Sequence, residues 1–142
     1  MVIFNFGAYE LDDDASRTDR DAVWEFLSTE AYWGRTRSRA DFDAQLASAW
    51  RVVGAYETAT GRQVGFARAI SDGVAFAYLS DVFILAGARG GGLGRELVAT
   101  MIDRGPGAGF RWSLHTSDAH DLYRKYGFTE PDTRYMERPS RP

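Results

Sequence analysis

The spacing of apolar and polar positions changes along the chain, and each change predicts an element. "VIFNF" at the start reads as a first strand, and the acidic "LDDDAS" that follows reads as a solvated loop. Thr18 with Asp21 three residues on is a helix-start signal. Ala22, Val23, Phe26 and Leu27 then share one helical face. Ser38 with Asp41 repeats the signal, and Phe42, Leu46 and Trp50 follow at helical spacing. Between the two helices lies "EAYWGRTR", a loop rich in aromatics and arginine.

The middle of the chain is strand-like. "WRVVGAYE" and "RQVGFARAI" flank "TATG", which predicts a hairpin turn. Asp72-Gly73 is a two-residue hairpin signal that joins the second of these to a long run, "VAFAYLSDVFIL". Three antiparallel strands in a meander are expected. A third helix-period stretch carries Leu93, Leu97, Val98, Met101 and Ile102 on its inner face. "PGAG" breaks the chain and "FRWSLHT" reads as a short strand. A last helix, capped by Thr116 or Ser117, aligns Ala119, Leu122, Tyr123 and Tyr126, and Gly127 ends it. "FTE" and "RYMER" are expected as closing strands. The order β-α-α-β-β-β-α-β-α-β-β is that of a mixed α/β layer fold.

Composition narrows the function classes. The 142 residues carry a net charge of −3, which argues against a nucleic-acid binder, since such proteins show a basic face. The length predicts one domain over 1–142. There is no cysteine, so disulfides, thiolate zinc sites and a cysteine nucleophile are excluded. His115 and His120 are five apart, the wrong spacing for two helix ligands, and no metal is expected. The first residues lack a secretory signal pattern, and no apolar stretch is long enough to span a membrane. A cytoplasmic location is the expectation.

The glycines of "ILAGARGGGLGRELVATMI" stand where a helix should begin, although glycine loses the most backbone entropy on ordering. A strand, a glycine-rich turn and a helix N-terminus together make an anion site, because free N–H groups and the helix dipole point at the bend. A nucleotide-binding P-loop would end in Gly-Lys-Ser/Thr, but Arg95 and Glu96 follow Gly94. A dinucleotide fingerprint would need a small residue where Leu97 stands. The preceding meander fits neither.

"RGGGLG", Arg89 to Gly94, resembles the Arg/Gln-x-x-Gly-x-Gly/Ala motif of the GNAT (Gcn5-related) N-acetyltransferase superfamily. "TSDAHDLYRKYGF", Thr116 to Phe128, resembles that family's later A-x-x-L-Y-x-x-x-G-F helix. "AYW", "FAR", "AYLSDVF" and "DAHDLY" together look like a small bacterial subgroup of unassigned substrate. Two positions depart from the common pattern: "AGA" replaces a frequent proline before the arginine, and Thr116 replaces a frequent asparagine. The resemblance implies an α/β acyl-CoA N-acyltransferase fold. Its mixed, mostly antiparallel sheet is splayed between the fourth and fifth strands and flanked by helices. It implies an acetyltransferase that moves the acetyl group of acetyl-CoA to an amine. A non-catalytic acyl-CoA-binding or regulatory module is the alternative. Acetyl-CoA would be a co-substrate and the other partner a small-molecule or peptide amine, with a homodimer open.

The resemblance also assigns residues. Gly90, Gly91, Gly92, Leu93, Gly94 and Arg95 would offer backbone donors to a pyrophosphate, with charge from Arg89 and Arg95. Val82, Phe83 and Ile84 would pair with the pantetheine arm, and Thr116 and Tyr126 would border the cofactor groove. Tyr123 holds the position of the family tyrosine beside the sulfur, as a proton donor to the departing thiolate. Packing with Leu122 and Tyr126 is its other reading. Asp81, a lone acid in an apolar strand, is a candidate base because burial raises a carboxyl pKa. It could equally bind an arginine such as Arg68, and other family members use a water chain to bulk solvent in place of a base. Tyr32 and Trp33 could line the acceptor pocket, with Arg35 or Arg37 receiving an acidic group. Without cysteine, direct transfer in a ternary complex is favoured.

Overall fold

Among the described residues, six strands lie in chain order in one sheet. The computed structural model describes residues 1–31 and 36–141. The hairpin β1 (Val2–Phe6) and β2 (Tyr9–Asp12) is followed by α1 (Arg20–Thr29) and α2 (Arg39–Ser48). The meander β3 (Arg51–Glu57), β4 (Gln63–Ser71) and β5 (Phe76–Ile84) comes next. Then come α3 (Leu93–Met101), β6 (Arg111–Ser113) and α4 (His120–Arg124). Neighbouring strands run antiparallel except β5 and β6, which are parallel. No helix among the described residues is long and apolar enough to cross a membrane.

The two sheet faces bury separate cores. Val53, Ala55, Ala67, Ala69, Leu79 and Ile84 pack under Leu93, Leu97, Val98 and Met101 of α3. Val52, Phe66 and Phe83 point the other way, against Val23, Phe26 and Leu27 of α1 and Phe42 and Leu46 of α2. Strand side chains alternate between faces, so one apolar run serves both cores.

Several elements differ from the sequence reading, each for a local reason. Leu11 and Asp12 belong to β2 rather than to a loop. Four residues running into an acidic stretch carry little periodicity. Pairing on both sides, to Phe4 in β1 and to Ala55 in β3, makes the strand. The cap of α1 is Asp19, not Thr18, its carboxylate accepting the Ala22 N–H at 3.1 Å. Ser38 and Asp41 form the expected reciprocal cap of α2, with Trp50 beyond the helix end. The connection at Asp72-Gly73 has four residues, because the Asp72 carboxylate gathers the N–H groups of Val74, Ala75 and Phe76. "FTE" and "RYMER" form no strand; the tail is tied by side chains instead. With β2 counted, the fourth and fifth strands of the sequence reading are β5 and β6.

Candidate active site

A bulge in β5 organises the site. Across from it, Phe66 pairs with Phe83 and Arg68 with Ser80, so Asp81 and Val82 together face the single residue Ala67. Asp81 sits at φ +54°, the one non-glycine residue in the left-handed region among the described residues. Aspartate tolerates that region better than most residues. The bulge breaks the alternation, so Ser80 and Asp81 both lie toward Arg68 on the α1–α2 face, while Val82 packs toward α3. Such bulges re-aim side chains and bend the strand.

Beyond the bulge the sheet opens. The β5–β6 pairing ends at Tyr78 and Ser113, and β5 continues to Ile84. The N–H of Leu85 returns to Val64 on β4. By alternation the backbone of Phe83 also faces β4, whereas Val82 and Ile84 face the opening. The Arg89 guanidinium Nε donates to the Ile84 carbonyl at 2.7 Å, fixing the strand end to the loop that follows.

That loop is the glycine turn. Gly90 and Gly92 both have φ +91°, a conformation in which a Cβ is strained. Gly90 and Gly91 have open space where a Cβ would stand, and Gly94 abuts Ile84. Gly92 is the N-cap of α3 and supplies no side-chain acceptor, so the first-turn N–H groups of α3 have no intrahelical partner. Bare backbone, free donors and a helix dipole thus converge where the β5 edge opens. These features fit a pyrophosphate attached to an extended arm. A cavity of about 320 Å³ adjoins the turn, between Gly91, Leu93 and the β1–β2 connection.

The last helix closes the other side. Tyr123 is buried and meets Phe128 edge-on, with ring centroids 5.7 Å apart. The Tyr126 hydroxyl donates to the Arg95 carbonyl, joining α4 to the first turn of α3. Burial raises the Tyr126 pKa, reinforced by the Glu96 charge. Thr116 Oγ1 accepts the Ala119 N–H at 3.1 Å; its hydroxyl shapes the approach to α4.

On the α1–α2 face, Asp81 is enclosed by arginines. Arg37 reaches it with Nη1 at 2.8 Å from Oδ2 and Nη2 at 2.7 Å from Oδ1. Arg68 Nε lies 2.9 Å from Oδ2, and its Nη2 holds Ser80 Oγ at 3.1 Å. Burial alone would raise the Asp81 pKa, but the hydrogen bonds and charges of Arg37 and Arg68 outweigh it and hold the carboxyl below its ordinary value. The upward shift expected of a base is therefore not found, and the arginine-binding alternative is what the geometry contains. Arg37 is committed to the same pair. Tyr32, Trp33 and Arg35 lie outside the described residues.

The profile of the acetyltransferase (GNAT) domain matches residues 48–130, more than half of the chain. The chain belongs to the GNAT acetyltransferase family. A GNAT-family protein of Xanthomonas campestris, provisionally named an acetyltransferase, has a crystal structure that superposes with a TM-score of 0.84 at 38% identity, covering 93% of both chains. A Gibberella zeae protein with a provisional acetyltransferase name is 39% identical over 81 residues. That match covers 57% of this chain and 44% of the relative, so the chain spans under half of that relative's length. A Clostridium acetobutylicum protein, assigned to the acetyltransferases by prediction and solved with acetyl-CoA, shares the fold. Its TM-score is 0.64 at 15% identity, covering 92% of this chain and 94% of that one.

In this GNAT protein the splay, the glycine turn and α4 bring together most of the residues assigned from the resemblance. One cluster escaped sequence reasoning. The Tyr78 hydroxyl is 2.5 Å from His115 Nδ1. His115 Nε2 is 2.7 Å from Glu137 Oε2, which also accepts the Tyr135 hydroxyl at 2.8 Å. Hydrogen bonds from Tyr135 and then His115 hold the Glu137 pKa down. Burial and the Glu137 charge raise that of Tyr78, against the opposing pull of Arg68. In the sequence, the spacing of His115 and His120 bears only on metal ligation. No spacing signal could have found the group, because the parallel β5–β6 pairing and the tail assemble it.

Proposed function

We propose that the protein transfers the acetyl group of acetyl-CoA to an amine by direct attack within a ternary complex. The observation that carries this reading is the open β5 edge running into a glycine turn with bare backbone and free N–H groups. An extended arm can add to that edge as a strand does, through Val82 and Ile84. Its pyrophosphate would meet the donors of Gly90 to Arg95. Acceptor access is from the α1–α2 face, where Ser80 and Asp81 lie.

Attack on the thioester makes an oxyanion and then a thiolate. Backbone N–H groups at the splay can stabilise the first. Tyr123 is the proposed acid for the second; a thiol with a pKa near ~8.5 needs only a weak donor. Tyr126 is proposed to brace α4, since its hydroxyl already serves Arg95. Asp81 is proposed to anchor Arg37 and Arg68 beneath the acceptor rather than to act as the base.

The test is thiol release from acetyl-CoA across a panel of amines, amino acids, peptides and polyamines, alongside calorimetry of acetyl-CoA alone. Turnover with one class of amine is expected. Binding without turnover of any acceptor would instead identify a non-catalytic acyl-CoA module.

A further inference from the structure

Resting on the reading above, we propose that Tyr78, His115 and Glu137 form the relay that removes the proton from the attacking amine, with Tyr78 facing the acceptor. Tyr78 lies two residues before Ser80 on β5, so both side chains share the α1–α2 face. It is also the last β5 residue paired with β6, so it stands where the two strands part, with its hydroxyl on His115. The charged and titratable groups around it are Arg68 on β4, Asp81 at the bulge, and Glu137 and Tyr135 on the tail.

The proton positions follow from donor chemistry. A carboxylate only accepts, so Glu137 requires the proton on His115 Nε2. Neutral Nδ1 then accepts from the Tyr78 hydroxyl, and the phenol oxygen keeps lone pairs for an ammonium. As the ammonium gives a proton to Tyr78 Oη, the phenol proton passes to Nδ1. The freed nitrogen lone pair forms the C–N bond, and the C–S pair leaves on sulfur. The second amine proton, lost when the tetrahedral intermediate collapses, balances the protonation of the thiolate. One proton remains on the imidazole, held against Glu137. His115 is 59% exposed, so the imidazolium can return it to solvent. Tyr78 is the catalytic member; His115 and Glu137 act through it and position it.

The test is kcat/KM from pH 6 to ~10 for the amine with the fastest thiol release in the panel, for the parent, Tyr78→Phe, His115→Gln and Glu137→Gln. All three substitutions are at partly or fully exposed side chains, and a thermal melt of each confirms folding. His115→Gln and Tyr78→Phe should lower kcat/KM about 10²-fold near neutrality. The deficit should shrink as the pH nears ~10.4, where an alkyl amine sheds its own proton. Glu137→Gln should show the same trend with a smaller loss. A deficit equal at every pH, or parental rates in Tyr78→Phe, overturns the relay while leaving amine acetylation intact. If the parent acetylates no amine in the panel, both readings fall together.

Discussion

Arg37 closes a two-pronged pair on Asp81 across 44 residues of chain, with nitrogen–oxygen distances of 2.8 and 2.7 Å. Arg68 completes the enclosure from β4 at 2.9 Å. The carboxylate therefore ties the α1–α2 connection to the bulge at the middle of the sheet. It does so from a left-handed backbone position that few residues occupy without strain.

Removing that charge leaves two guanidiniums facing each other. Asp81→Asn keeps the shape and tolerates the left-handed backbone, so it isolates the charge. At neutral pH it should destabilise the protein by about 3 kcal/mol, as broken buried pairs do. Asp81 is held below its ordinary 3.8. A depressed folded pKa contributes stability above the unfolded value and loses it as the pH falls through the folded one. The gap between parent and variant should therefore close in acid. Urea unfolding at neutral pH and at about pH 3 measures it; a gap constant with pH would mean the charge is not the cause.

The anion site is best probed at Gly91. Gly92 has φ +91°, so a side chain there strains the backbone. Gly91 is not in that region and has open space. Gly91→Glu should fold normally yet bind acetyl-CoA at least ~10-fold more weakly, since two like charges brought together cost over about 1.4 kcal/mol at partial screening. Calorimetry that finds unchanged affinity in a folded variant would move the pyrophosphate elsewhere.

Tyr123 and Tyr126 should separate cleanly. Tyr123→Phe keeps the ring against Phe128 and removes the hydroxyl proposed as the acid, so kcat should fall at least ~10-fold with acetyl-CoA affinity retained. Tyr126→Phe loses the bond to the Arg95 carbonyl, which should reduce stability by about 1 kcal/mol and leave kcat near the parent. The reverse pattern would exchange the two roles.

Gly127 holds the end of α4. It has φ +85°, its N–H reaches the Arg124 carbonyl at 3.1 Å, and the Phe128 N–H reaches that of Tyr123 at 3.3 Å. Gly127→Ala should destabilise by about 1–2 kcal/mol. Because this turn brings Phe128 onto Tyr123, amide exchange in α4 should rise more than in α3. Uniform exchange throughout would point to a global rather than local effect.

The sequence by itself determined what short-range periodicity and turn chemistry encode. The meander, the inner face of α3, the reciprocal cap at Ser38 and Asp41, and the glycine turn were all legible. So was the Gly127 stop, because a left-handed helix end selects glycine from local sterics alone. Only the tertiary structure decided the rest. β2 exists because two neighbours pair with it, while "RYMER", whose apolar pair Tyr135 and Met136 is flanked by charges, finds no partner in the sheet. The Asp81 bulge is invisible in "AYLSDVFIL", since the extra residue is defined against Ala67 on another strand. That shift of one residue turns Asp81 toward Arg37 and Arg68, and so reverses the pKa direction its apolar neighbours suggest. Tyr78, His115 and Glu137 meet for the same reason: side-chain chemistry is written locally, but which groups share a hydrogen bond is set by register between strands far apart in the chain.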